Sequence, residues 1–203
     1  MTAYRKKHSC ETALISLVED WRLALDNKQK ALLLSMDMSK AFDSVLPSLT
    51  VAKLSAYGFN DKSLQLMRSY FKDRLNRVKI GKATSDWNVM KRGCPYGSSF
   101  SPTLWNLYQN DLSYHINEIA NINMYADDHQ MYIVGSDMSI MCANMEKEGN
   151  SVLKWYKDNY LLSNPEKLNA IGIKQHNKLK LNRLTSRSVI KRLRQQIISS
   201  YWV

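Results

Sequence analysis

The sequence predicts an α+β fold, with helices packed on one face of an antiparallel sheet. Apolar residues recur at helical spacing in several segments, and short runs of strand character lie among them without strict alternation. One run, Ala31 to Met36, is continuous and apolar like a central strand covered on both faces, and two others meet at Asp127-Asp128.

Taken in order, Ala13, Leu14, Leu17, Val18 and Trp21 predict a helix over 10–26, started by Ser9 with Glu11 close behind. The central strand follows and stops at Asp37. Residues 48–57, ended by Gly58, and 62–75, opened by Asp61, read as helices, and 77–80 with 87–91 as a hairpin around Gly81. A small-residue loop from Gly93 to Ser99 opens one long helix carrying Leu104, Leu107, Tyr108, Leu112, Ile116 and Ile119. Strands at 122–126 and 129–134, a helix marked by Met138, Met141, Met145, Val152 and Tyr156, and a strand from Leu168 to Ile173 complete the order.

At 203 residues, 44% hydrophobic and 23% charged, the chain can bury a core, and no apolar stretch is long enough to span a bilayer. A secretory signal is not indicated, which implies an intracellular protein, and Cys10, Cys94 and Cys142 lack the spacing of a disulfide or zinc framework. Net charge is +11, unevenly spread. Residues 167 to 203 carry nine basic side chains and no acidic one; residues 62 to 92 carry nine against Asp73 and Asp86, with Tyr70, Phe71 and Trp87 among them. Such a mixture suits a polyanion, since cations release counterions from phosphates and aromatic faces stack on bases. A solvated basic face accounts for the charge equally well.

Asp37 at the end of a buried strand and Asp127-Asp128 at a hairpin tip form a candidate acidic centre. Adjacent carboxylates repel unless a hard cation neutralises them, and Mg²⁺ is the natural choice. Taken alone, the Asp pair also reads as a capped turn.

The segments Met36 to Asp43, Gly97 to Leu104 and Tyr125 to Asp128 resemble successive palm motifs of reverse transcriptases, and the likeness is closest to the non-LTR (LINE-type) retrotransposon polymerases. It extends upstream over Tyr4 to Ala13 and downstream over Trp155-Tyr156 and Leu161 to Lys167, covering residues 4 to 173. The resemblance implies an RNA-directed DNA polymerase using an RNA template, a DNA primer and dNTPs, with two Mg²⁺ ions, or Mn²⁺ as a substitute, and no membrane. No protein partner can be named from it. Asp37, Asp127 and Asp128 would be catalytic metal ligands, and Lys167 would protonate departing pyrophosphate. Phe42 would be a steric gate against a ribose 2′-hydroxyl, and Tyr96, Gly97, Lys40 and Arg92 would contact substrate. Without the motifs, Phe42 reads as a core residue, the loop as a helix-opening turn and Lys167 as a solvated lysine.

Two positions depart from the family pattern: Tyr96 stands where it would place a glutamine and Ser101 where it would place a glycine. The resemblance further implies a partial fingers segment at 1–30, a palm with inserted fingers elements at 31–173, and a basic tail at 174–203 without a clear thumb. In that tail Ile190, Leu193 and Ile197 suggest a helix. The family expectation for location is nuclear. The alternative is a truncated, catalytically inactive derivative that binds nucleic acid.

Overall fold

The computed structural model describes residues 1–95, 97–164 and 167–174. Tyr96 and the tail helix suggested by Ile190, Leu193 and Ile197 lie outside them.

Helix α1 (Cys10–Asp26) starts at a capping box in which Ser9 Oγ accepts from the Thr12 amide (3.2 Å) and Thr12 Oγ1 accepts from the Ser9 amide (2.8 Å). Strand β1 (Lys30–Ser39) follows. It runs past Asp37 because Met36 and Met38 continue the same buried face. A single turn α2 (Ala41–Ser44), helix α3 (Pro47–Ala56) and helix α4 (Asp61–Phe71) come next. Asn60, rather than Asp61, caps α4 by accepting from the Ser63 amide at 2.9 Å, and the helix ends at Phe71 instead of 75.

The hairpin around Gly81 is built differently from expectation. Strands β2 (Leu75–Asn76) and β5 (Asn88–Val89) form an outer ladder, and β3 (Lys79–Ile80) and β4 (Ala83–Thr84) an inner one. The second arm holds one more residue than the first between the ladders, so the pairing of 77–80 with 87–91 is out of register. Both faces of this hairpin are exposed.

Helix α5 (Ser101–Gln109) is also shorter than expected, tightening into a 3-10 turn over Asn110–His115. The Lys53 ammonium donates to the Tyr108 carbonyl (2.8 Å) and pairs with Asp111 (2.6 Å), drawing the last turn in, while Ile116 is extended and Ile119 exposed. Strands β6 (Asn121–Tyr125) and β7 (Asp128–Gly135) form the acidic hairpin. Helix α6 (Met138–Asp158) is capped by Asp137 and leads to β8 (Leu162–Ser163) and β9 (Asn169–Ile173).

The five-stranded sheet runs β6-β7-β1, with β8 and β9 sharing the other edge of β1, all antiparallel. On one face Leu32, Leu34, Met36 and Met131 pack with Trp105 and Tyr108 of α5 and Met145 and Tyr156 of α6. On the other, Leu33 and Tyr132 pack with Leu17 and Trp21 of α1. Cover on both faces explains the unbroken apolar run of β1. His129 is fully buried between Gln109 Oε1 (2.9 Å) and Tyr156 OH (2.7 Å), and burial lowers its pKa to about 3. The three cysteines are free, and no helix among the described residues is long and apolar enough to cross a membrane.

Candidate active site

Antiparallel pairing sets Asp37 of β1 directly opposite Asp128 of β7, and Asp128 opposite Tyr125 of β6. Asp127 precedes Asp128 in the two-residue turn after Tyr125, where Ala126 takes a left-handed φ of 53°. That turn is tied to the core: buried Trp105 Nε1 donates to the Ala126 carbonyl at 2.9 Å. The next row of the sheet on this face is polar across all four strands, with Gln130 and Ser35 paired and flanked by Asn123 and Asn169.

Burial first, then the Asp127 and Asp37 charges, push the Asp128 carboxyl above the usual aspartate range, and Lys167 opposes them. Lys167 Nζ lies 3.0 Å from Asp37 Oδ2. Its ammonium is raised above the ordinary lysine range by the hydrogen bond and charge of Asp37. Asn164 donates its backbone N–H to the Asp37 carbonyl at 2.9 Å, fixing the start of the loop that carries Lys167.

The donor set suits a hard divalent cation: three carboxylates, no soft ligand, and a like-charge penalty still registered at Asp128. No group of three His, Cys, Asp or Glu among the described residues forms a ready metal cage. Coordination by all three therefore requires side-chain movement.

Phe42, half-buried in α2, packs on the Trp105 ring (5.2 Å between centroids) and meets Tyr4 edge-on (6.4 Å). The loop before α5 is stitched beneath it: the Cys94 amide donates to Phe42 O (2.9 Å) and the Gly93 amide to Val45 O (2.7 Å). Gly93 has φ 93°, and a Cβ there would lie 3.1 Å from Asp43 Cα, so only glycine fits without strain. Gly97, at φ 72°, is exposed with nothing near its missing Cβ, leaving its backbone approachable. Ser101 is buried, and its hydroxyl donates to Pro95 O at 3.1 Å, so the departure from glycine is absorbed as a loop tie. Lys40, left-handed at φ 51°, and Arg92 are both exposed.

Sequence reasoning misses Tyr4, whose phenol is pushed up by burial and by the Asp127 charge, which puts it beside the acidic turn. A single tyrosine near the chain start carries no signal for that role. It also misses the Trp105 contact, because helical periodicity marks a residue as core without revealing what its N–H reaches.

An antiparallel sheet with an aspartate strand facing an Asp-Asp turn, backed by helices, is the architecture of a polymerase palm. The family described as reverse transcriptase (RNA-dependent DNA polymerase) matches residues 1–189, and the chain belongs to that family. A probable RNA-directed DNA polymerase from transposon BS of Drosophila melanogaster is 26% identical over 170 residues, covering 81% of this chain and 19% of that protein. The RNA-directed DNA polymerase from mobile element jockey of the same fly is 22% identical over 170 residues, with 81% and 18% covered. The chain thus spans under a fifth of these relatives' length. Among solved structures, apo telomerase of Candida tropicalis superposes with a TM-score of 0.63 at 16% identity, over 89% of this chain and 38% of that one, a likeness of fold.

Proposed function

We propose that the chain is the palm-centred part of an RNA-directed DNA polymerase that extends a primer 3′-hydroxyl on an RNA template with dNTPs. The observation that carries this is the register placing Asp37 opposite Asp128, with Asp127 adjoining, in a reverse transcriptase fold. Asp37, Asp127 and Asp128 would hold two Mg²⁺ ions, or Mn²⁺ in their place, which when bound activate the hydroxyl and stabilise charge on the leaving pyrophosphate. Phe42, braced by Trp105, would exclude a 2′-hydroxyl from the sugar position, and Gly97 would let backbone approach the nucleotide beside Tyr96. Lys40 and Arg92 would meet phosphates. Lys167 would donate a proton to pyrophosphate, and an ammonium held up by Asp37 is a weak acid until that contact is given up.

The exposed hairpin supports a nucleic-acid contact: Trp87 is 57% exposed and lies under Arg77, whose Cζ is 4.5 Å from the ring centroid. Residues 1–30 would serve as a fingers segment, 31–173 as palm with inserted fingers elements, and the basic tail at 174–203 would add phosphate contacts and favour nuclear import. The second reading, a nucleic-acid-binding derivative without catalysis, is favoured by the Lys167 ammonium that holds Asp37 Oδ2 at 3.0 Å, where the polymerase reading needs a metal ligand.

Primer extension on poly(rA) with an oligo(dT) primer separates the two. Extension that vanishes in Asp127→Ala while binding keeps its salt dependence supports the polymerase; extension persisting in that variant overturns the acidic centre.

A further inference from the structure

Helix α1 carries two apolar stripes, and the sheet takes only one of them. Ala13, Leu17 and Ala24 are buried against the strands, while Leu14, Val18, Trp21 and Leu25 recur at i, i+4, i+7 and i+11 along one flank. Leu14 and Val18 are 58% and 45% exposed, and Trp21 and Leu25 are half-buried. On the opposite flank Asp20 and Leu23 share a cavity with Asn121 of β6. The second stripe is therefore turned away from β6, toward β1 and β9.

The sheet leaves an apolar row beside that stripe. Leu33 pairs across with Tyr132 of β7 and Ile171 of β9, so the three side chains stand on the face that α1 covers. Leu33 and Tyr132 pack with Leu17 and Trp21 and are each 7% exposed, whereas Ile171 is 36% exposed. Strand β9 pairs with β1 and with no other strand among the described residues, so its outer edge is uncovered as well. Ile173 lies opposite Ala31, at the end of the sheet where α1 hands over to β1. The chain beyond Lys174 thus starts beside the open flank of α1.

We propose that the flank of α1 and the β9 edge form a docking surface for residues 190–201 of the same chain. That segment, beyond the family match at 1–189, carries Ile190, Leu193, Ile197 and Tyr201 at i, i+3, i+7 and i+11. Both stripes run over the same eleven-residue interval, about 16 Å of helix. Charge selects this occupant over a second copy. Helix α1 holds Glu11, Glu19, Asp20 and Asp26 against Arg22, so two α1 helices side by side would repel. Residues 187–201 hold Arg187, Lys191, Arg192 and Arg194 and no acid. Residues 174–189 can span up to about 50 Å, enough to lay the segment along α1 in either direction. Tethering keeps it at an effective concentration in about the millimolar range, which favours it over a separate basic partner. The surface does not depend on whether the acidic centre is active.

The test is amide hydrogen exchange on the whole chain, read by mass spectrometry at fixed ionic strength without nucleic acid. Amides of residues 190–201 should exchange at least about tenfold more slowly than in a free peptide of the same sequence. Val18→Lys, which sets a cation in the stripe against a basic segment, and Leu193→Ser should each abolish that protection. Ile15→Lys makes the same kind of change at a position 60% exposed and outside the stripe, and should leave protection in place. Circular dichroism establishes that each variant folds. Exchange at the free-peptide rate in the native chain overturns the proposal, as does protection that survives either stripe variant or is lost equally in Ile15→Lys. Protection that grows with protein concentration, alongside a dimer mass in light scattering, assigns the surface to a second copy and overturns the in-chain occupant. Protection that appears only when an oligonucleotide is added assigns the segment to nucleic acid and overturns the docking.

Discussion

Lys167 Nζ sits 3.0 Å from Asp37 Oδ2, joining the loop before β9 to the strand that carries the first aspartate of the acidic centre. With the lysine side chain 63% exposed, the pair adds little to stability, so its consequence is for chemistry. Lys167→Gln should leave Tm nearly unchanged while lowering single-turnover extension by about 10²-fold, the lower end of general-acid effects. A matching loss of pH dependence on the alkaline limb distinguishes proton donation from simple charge. An unchanged rate would remove Lys167 from the mechanism.

Asp128 carries the electrostatic strain of the centre. Its folded pKa is raised, so the folded state holds a proton more readily than the unfolded one, and this group favours folding at acid pH and opposes it as pH rises through the aspartate range. At pH 7 without divalent ions, Asp128→Asn should raise Tm by up to about 3 °C, a small effect because solvent screens the site. Added Mg²⁺ should then stabilise the native chain and leave the variant unmoved. A variant that melts lower without metal would contradict the account in which burial and then the Asp127 and Asp37 charges penalise the Asp128 carboxylate.

Gly93→Ala tests the loop stitched under Phe42. With φ at 93° and Asp43 backbone 3.1 Å from the new Cβ, the substitution should cost about 1–3 kcal/mol. For a chain of this size that lowers Tm by about 2–12 °C in thermal melts. Gly97→Ala meets no atoms within 4 Å and bears only its own φ penalty, so it should melt higher than Gly93→Ala.

His129 sets an acid limit on the fold. Its pKa falls from an ordinary 6.5 to about 3, so between those values the unfolded chain binds a proton that the folded chain refuses. Its contribution is whole above pH 6.5 and is lost progressively as pH drops toward 3. Urea melts from pH 7 to 4 should show falling stability, with the slope reduced in His129→Gln. An equal slope in both would place the acid sensitivity elsewhere.

Much of this was legible where one residue pattern had one physical meaning. The run from Ala31 to Met36 reads as a strand covered on both faces, and the hairpin around the aspartates was legible too, though its turn is Ala126-Asp127 and Asp128 is already the first residue of β7, paired with Asp37. Misreadings arose where spacing is shared by different structures. Ile116 and Ile119 keep helical intervals beyond α5, yet Lys53 captures the Tyr108 carbonyl and the chain tightens and leaves the helix. In the basic hairpin, an extra residue shifts the partners without changing the strand signals. The Lys167–Asp37 pair and the Trp105 tie to Ala126 depend on side chains meeting across long stretches of chain, which no local window contains.

The order of strands has a consequence for synthesis. Strand β1 leaves the ribosome before its ladder partners β7, β8 and β9, which begin at Asp128, Leu162 and Asn169. At about 5–20 residues per second, the most apolar strand waits several seconds or longer for its neighbours, roughly a hundred residues later. The nascent protein thus exposes an adhesive segment until β9 emerges, and chaperone occupancy should concentrate on Ala31 to Leu34 during that interval.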